Sequence, residues 1–86
     1  MDRVLRGSVF HRHEIKPFFS VLLDNRDYCV IELVDGTVSF GDVIEGKMEQ
    51  VGVLTIWNIT KNFPIEVKIH HVQCSRVEAL QRTTMI

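Results

Sequence analysis

The chain has 86 residues, which is too few for two ordinary hydrophobic cores but enough for one. Hydrophobic residues make up 45% of it, beside 5 glycines and 2 prolines, and this composition excludes a disordered or low-complexity protein. Its 10 basic and 11 acidic residues give a net charge of −1, which excludes a bulk attraction to polyanions. We therefore expect residues 1–86 to form one small globular domain.

The termini and the cysteines point to a reducing, aqueous compartment. The amino-terminal residues contain no long apolar stretch, and no run of about 18 uncharged apolar residues follows. Cys29 and Cys74 lie in apolar, strand-like segments rather than in a cysteine-dense framework, so both are expected to be reduced core thiols. These features predict a cytoplasmic protein without a membrane partner, and no cofactor is indicated.

The first half of the chain has the pattern of three β-strands. Residues 4–15 alternate between an apolar and a polar phase and predict a long first strand. Two apolar runs follow over residues 18–23 and 28–34, and residues 24–27 between them favour a turn. Asp35-Gly36 is a strong hairpin signal, because a type I′ turn needs positive φ at its central positions, so a strand paired with residues 28–34 is expected next.

The second half contains shorter elements and one change of period. Gly41 and Gly46 suggest a bend or a bulge. Residues 49–52 are predicted as a short connection, residues 53–59 as a strand and residues 61–64 as a turn. From Ile65 onward apolar and polar residues alternate, which predicts a strand with the Ile65 phase facing inward. Ser75 and Glu78 match a capping box, so we expect a helix over about residues 76–83.

Short strands separated by turn signals favour a small barrel, because closure removes unpaired edge strands. We predict a mainly β fold, a five- to six-stranded antiparallel barrel with a short C-terminal helix. The interrupted first strand, residues 28–33 and residues 41–46 resemble the oligonucleotide- and oligosaccharide-binding fold and the related SH3-like barrels. The resemblance implies a variant in which residues 49–52 replace the helix that these folds commonly carry between their third and fourth strands.

The polar phase of the first strand supplies the strongest candidate binding residues. If Leu5 and Val9 point inward, Arg6, Phe10 and Arg12 point outward, and an aromatic ring between guanidinium groups is typical of sites that stack single-stranded nucleic acid. Trp57 and Lys68 would extend this face. In the alternative interpretation the C-terminal helix covers Phe10, because its apolar residues Val77 and Leu80 need a surface on which to pack.

The histidines and the second cysteine are candidates for other chemistry. His11 and His13 have the spacing of two ligands on one face of a strand, and His71 with Cys74 would complete a metal site if the strands are neighbours. His70 and His71, as consecutive strand residues, are expected on opposite faces, which weakens that site. Cys74 at a helix start, with His71 as a base, is a weak candidate nucleophile that lacks a third orienting group.

Three functions remain open at this stage. The sequence favours a non-enzymatic binding module that contacts another protein or a second copy of itself, because the charge is nearly neutral and no catalytic motif is present. Here Phe10, Trp57, Phe63 or the tail Met85-Ile86 would supply an apolar anchor. The alternatives are single-stranded nucleic-acid binding through Arg6, Phe10 and Arg12, and metal binding through His11 and His13.

Overall fold

The computed structural model describes residues 3–85, so the predicted anchor Ile86 lies outside the described residues. It contains six strands and one helix. The strands are β1 Leu5–Arg12, β2 Phe18–Leu23, β3 Tyr28–Asp35, β4 Val43–Gly46, β5 Gly52–Asn58 and β6 Phe63–Cys74. The helix is α1 Arg76–Thr84.

The strands form a closed antiparallel barrel in the order β1-β2-β3-β6-β5-β4. This arrangement consists of two three-stranded meanders, which we call the first meander (β1, β2 and β3) and the second meander (β4, β5 and β6). Antiparallel pairs between β3 and β6 and between β1 and β4 join the two. The predicted fold class, a mainly β barrel with a short C-terminal helix, is confirmed.

The barrel interior is filled by the inward phase of every strand. The inward phase predicted for β6 is confirmed, since Ile65, Val67 and Ile69 are all buried. Met48, in the connection after β4, is also completely buried, which shows that this connection turns into the barrel end instead of extending the sheet. The apolar cluster inside the barrel is continuous and includes Phe19.

The hairpin predicted at Asp35-Gly36 is wrong. Gly36 does have a positive φ of 108°, as such a turn requires, but the strand before it pairs with β6 and not with the segment that follows. Residues 36–42, which we call the crossover segment, instead lead from the first meander to the second. A local turn signal specifies a change of direction, whereas barrel closure decides which strand lies beside β3.

Polar contacts fix the crossover segment to the second meander. Asp42 is buried, and its Oδ2 accepts hydrogen bonds from Lys61 Nζ at 2.6 Å, from Asn58 Nδ2 at 3.0 Å and from the backbone N–H of Ser39 at 2.8 Å. Val38 is buried as well. The segment is thus anchored at two points although it forms no strand.

The register of the sheet shifts at four places, one between β1 and β2 and three between β3 and β6, and two of these shifts affect predicted site residues. In β1 the register shifts between Val9 and His11, so Phe10 is an extra residue opposite β2. In β6 it shifts so that Ile69 pairs with Ile31 and His71 with Val30, which leaves His70 as an extra residue. The first strand also ends at Arg12, three residues earlier than the alternation predicts.

The helix begins where the sequence indicates. The Ser75 side chain accepts a hydrogen bond from the Glu78 backbone, and the Glu78 side chain accepts one from the Ser75 N–H, so the predicted capping box is confirmed. The buried face of the helix is formed by Ala79 and Thr83, while Val77 is exposed. The expectation that Val77 packs on the barrel is therefore wrong.

Candidate functional site

The bulge at Phe10 divides the binding face predicted along β1. Arg6 is exposed on the outer surface, as expected. Beyond the bulge, Arg12 pairs with Phe19, whose side chain is buried inside the barrel. Because paired residues of an antiparallel ladder point to the same side of the sheet, Arg12 lies on the inward phase, at the barrel end, and not beside Phe10.

Phe10 lies in a second apolar cluster, outside the barrel wall and at the helix. This cluster contains the buried residues Val30, Cys74 and Ala79, with Phe10 and Tyr28 packed against them. The rings of Phe10 and Tyr28 meet edge to face, with their centroids 5.0 Å apart. Phe10 is therefore half-buried in the packing of α1 against the sheet, and it offers no open stacking platform.

Trp57 lies on a part of the barrel wall that the helix does not contact. Its side chain points outward from β5, and the residue is 43% exposed. Cross-strand pairing places Arg6, Glu45, Trp57 and Pro64 in one row across β1, β4, β5 and β6. In this row Arg6 Nη2 donates to Glu45 Oε2 at 2.9 Å. The indole is thus bordered by an ion pair on one side and by a proline on the other.

Two further rows extend this surface along β5 and β6. Thr55 pairs with Glu66, and Val53, which is 65% exposed, pairs with Lys68. We call the surface formed by these three rows the Trp57 face; its residues are Arg6, Glu45, Val53, Thr55, Trp57, Pro64, Glu66 and Lys68. It carries two basic and two acidic side chains, so its net charge is zero. Three of the five predicted binding residues, Arg6, Trp57 and Lys68, meet on it.

The partners of Trp57 in this row were not found from the sequence. Glu45 is distant from Trp57 along the chain, and Pro64 belongs to a segment that the sequence predicts as a turn. Both become neighbours of Trp57 only through strand register. A single sequence contains no signal for cross-strand pairing of this kind, because register depends on how the whole barrel closes.

The histidines do not come together as a metal site. His13 lies beyond the end of β1, where its Nδ1 accepts hydrogen bonds from the backbone N–H groups of Ile15 and Lys16. His11 points toward the helix end, 3.3 Å from the Thr84 hydroxyl. His71 is on the same side of the sheet, but two strands separate it from His11. Within residues 3–85 no group of three His, Cys, Asp or Glu side chains is arranged to hold a metal ion.

The bulge in β6 also corrects the expected orientation of the adjacent histidines. His71 pairs with Val30, which lies outside the barrel wall, and the extra residue His70 lies beside it with ring centroids 6.5 Å apart. The two rings are therefore neighbours and do not lie on opposite faces. His70 Nε2 is 2.8 Å from Glu32 Oε1, and burial together with the nearby Arg82 charge lowers the pKa of His71.

Neither cysteine has the properties of a nucleophile. Burial, with a smaller contribution from the Glu78 carboxylate, raises the pKa of Cys74, contrary to the thiolate expected at a helix start. Burial inside the barrel raises the pKa of Cys29 to about 12. Both thiols are free and buried, as predicted for core residues. The chain offers no activated sulfur at neutral pH.

A cleft between β6 and α1 has a volume of about 520 Å³. It is lined by His71, Glu78, Gln81, Arg82 and Met85. Its polar groups carry charges of both signs, and Glu78 is already engaged in the helix cap. The cleft therefore shows no convergent set of donors for a ligand of one charge.

Comparison with known proteins gives no relative from which a function can be inferred. No family model matches the chain, and neither the curated proteins nor the solved structures include one that is significantly similar to it. Among residues 3–85, no helix has the length and apolar character needed to cross a membrane.

Proposed function

We propose that this protein is a non-enzymatic protein-interaction module that contacts its partner through the Trp57 face. The observation that carries the proposal is the position of Trp57, the chain's one tryptophan, with 43% of its surface exposed on a wall of the barrel that the helix leaves open. Tryptophan is the residue most enriched among the energetic centres of protein interfaces, and an exposed indole on a rigid strand is suited to that role.

The surroundings of Trp57 support its role as an anchor. Glu45 and Pro64 border the indole on the two neighbouring strands, and Pro64 is itself exposed. A side chain held between cross-strand neighbours loses little conformational freedom when a partner covers it. Val53 adds apolar surface two residues away on the same side of β5. The charged residues of the face flank this apolar part, with Arg6 and Glu45 on one side and Glu66 and Lys68 on the other, as in the polar rim of an interface.

The same geometry favours a protein over a single-stranded nucleic acid. A nucleic-acid platform needs uncompensated cations beside its aromatic rings. Here the Arg6 guanidinium is paired with Glu45. On β6, Glu66 lies between Lys68 and Pro64, the cross-strand partner of Trp57. Phe10, the second ring of the predicted platform, belongs to the cluster at the helix and not to the Trp57 face.

Affinity capture with matched variants tests this proposal. We expect the immobilised wild-type protein and the control Phe40→Ser to retain the same partner, and Trp57→Ser to lose it. Phe40 is a suitable control because it is 74% exposed and lies outside the Trp57 face. With ¹⁹F-labelled tryptophan, the partner recovered in this way should shift the single resonance of Trp57 on binding. Equal retention by Trp57→Ser would contradict the proposal.

A second measurement separates the two kinds of partner. A fluorescent single-stranded oligonucleotide should show no binding to the wild-type protein at low salt. Binding that weakens steeply with salt and is lost in Trp57→Ser would contradict the proposed protein partner and indicate a nucleic-acid partner. Such a salt dependence arises because counterions are released when basic side chains neutralise phosphates.

A further inference from the structure

Only two residue pairs close the barrel between β4 and β5. All seven residues of β5 pair with β6 on one side. On the other side β4 pairs only with Trp57 and Asn58, at the end of the strand. After Gly46 the chain leaves the sheet, because Met48 turns into the barrel interior. Within residues 3–85 the first half of β5 therefore has no neighbouring strand on this side.

The unpaired side of β5 presents a defined set of backbone groups. The Asn58 C=O accepts a hydrogen bond from Asn62 N–H, toward β6, whereas the Ile59 N–H donates to Val43 C=O, toward β4. Because backbone groups alternate in direction along a strand, Val53 and Thr55 direct their N–H and C=O groups away from β6. No backbone hydrogen bond joins these four groups to any other described residue.

The side chains of β5 itself do not protect this edge, and Lys47 of the preceding connection is the one charged residue that lines the groove beside it. Natural edge strands usually carry charged residues, prolines or bulges that prevent pairing with another chain. From Gly52 to Asn58 β5 contains no charged residue and no proline, and its ladder with β6 has no register shift. A groove of about 240 Å³ runs along the strand here, lined by Lys47, Gln50, Val51, Gly52, Val53 and Leu54.

We propose that β5 of one copy pairs antiparallel with β5 of a second copy along this edge. If Val53 lies opposite Thr55 of the other copy, and Thr55 opposite its Val53, four hydrogen bonds satisfy all the free backbone groups of both strands. The strand is thus complementary to itself about a two-fold axis through Leu54, and a two-fold axis is the commonest symmetry of soluble dimers.

Charge also favours a second copy as the occupant of the edge. Because β5 carries no charge, two copies of it meet without like-charge repulsion, and the net charge of −1 on each chain opposes association only weakly. Gly46 packs against Ile56 at the end of β4, so the partner strand pairs only with residues 53–55 and turns away at its own Gly52. The pairing does not depend on the function proposed for the Trp57 face.

The dimer would bring two Trp57 faces onto one surface. A two-fold axis perpendicular to the sheet keeps the outward side of both β5 strands on the same side. Six residues of strand then separate the two tryptophans, which corresponds to about 20 Å at about 3.4 Å per residue. A partner with two matching sites would bind such a surface more tightly than a single face.

Hydrogen exchange combined with sedimentation tests the dimer in the unaltered chain. We expect the sedimenting mass to rise from one chain toward two with increasing concentration. Over the same range the Val53 and Thr55 amides should become at least tenfold more protected, while the Leu54 and Ile56 amides, which face β6, change little. A single-chain mass at every concentration, with rapid exchange at Val53 and Thr55, would overturn the proposal and leave the edge to an unrelated strand.

A variant of β5 tests whether the two copies contact each other along this edge. Thr55→Pro removes an N–H that faces away from β6, so the β5–β6 ladder keeps its hydrogen bonds, as prolines on natural edge strands allow. This variant should remain folded by circular dichroism and sediment as a monomer. Trp57→Ser should still dimerise, which separates a failure here from a failure of the proposed function. A wild-type dimer whose Val53 and Thr55 amides stay unprotected would also contradict the pairing.

Discussion

Among residues 3–85, Asp42 is the only buried carboxylate, and its contacts explain why it is tolerated there. Burial by itself raises the pKa of Asp42, because it disfavours the charged form. The hydrogen bonds from Lys61, Asn58 and the Ser39 backbone outweigh this effect, so the pKa lies below its ordinary value. Ionised Asp42 therefore stabilises the native barrel, and it does so by fixing the crossover segment.

The variant Asp42→Asn tests how much the ionised Asp42 carboxylate stabilises the barrel. The amide keeps the shape but loses the ion pair with Lys61, so the free energy of unfolding should fall by about 1–3 kcal/mol at neutral pH. Since the folded pKa is depressed, the contribution of Asp42 is complete above the ordinary aspartate pKa of about 3.9 and is lost as the pH falls through the lower folded value. Urea denaturation of both proteins from neutral pH down to about pH 2 measures the difference.

The control for this experiment is Asp24→Asn, at an exposed turn residue. It should change the free energy of unfolding by less than about 0.5 kcal/mol, as is usual for surface substitutions. A difference between wild type and Asp42→Asn that stays constant from neutral to acid pH would show that the carboxylate charge contributes nothing.

Phe10 and His70 show where prediction from residues fails. Each is the extra residue of a bulge, and each changes which side of the sheet the next residues face. Alternation places Phe10 with Arg12 and separates His70 from His71, and both expectations are wrong for the same reason. The sequence has no glycine or proline at either position, so nothing local marks the insertion.

At the scale of elements, the stability of α1 depends on its N-terminal cap and on a small contact with the sheet. A helix of nine residues is marginal by itself, and only Ala79 and Thr83 are buried beneath it. The Ser20 hydroxyl donates to the Ala79 C=O at 3.1 Å and also contacts the Thr83 hydroxyl. The sequence predicted this helix and its first residue because a capping box is a local signal. Its buried face was mispredicted, because that face is selected by the sheet below.

Ser75→Ala should weaken the first turn of α1. The loss of one capping hydrogen bond costs about 1 kcal/mol, and amide exchange in Glu78 and Ala79 should accelerate roughly fivefold as a result. Hydrogen exchange followed by NMR measures this directly. Ser8→Ala, at an exposed position of β1, should leave both amides unchanged. Unaltered exchange in Ser75→Ala would mean that barrel packing alone holds the helix.

At the scale of the whole molecule, strand content was predictable but strand neighbours were not. The second strand, the turn at residues 24–27 and the inward phase of β6 follow from alternation and turn chemistry, which act over a few residues. Partners such as β3 with β6, or Trp57 with Glu45, depend on barrel closure between residues far apart in the chain. Of the five predicted binding residues, Arg6, Trp57 and Lys68 therefore share one surface, whereas Phe10 and Arg12 do not join them.

The crossover segment should be the first place at which a protease cuts the native chain. Phe40 is 74% exposed and lies outside every strand, so the peptide bond after it is accessible to chymotrypsin. We expect brief digestion to give two fragments, split after Phe40, that separate only under denaturing conditions. Mass spectrometry of the native and the denatured digest provides the measurement, and Phe40→Ser should slow the cut. Early cleavage within a strand would contradict this.

A chain cut in this way would be a complex of two peptides, one holding the first meander and the other the second meander with α1. The ladders between β3 and β6 and between β1 and β4 would hold the halves together without a covalent link. If each peptide is fused to one half of a reporter protein, reassembly of the barrel brings the two halves together. The connectivity of this barrel is therefore suited to a split-protein tag.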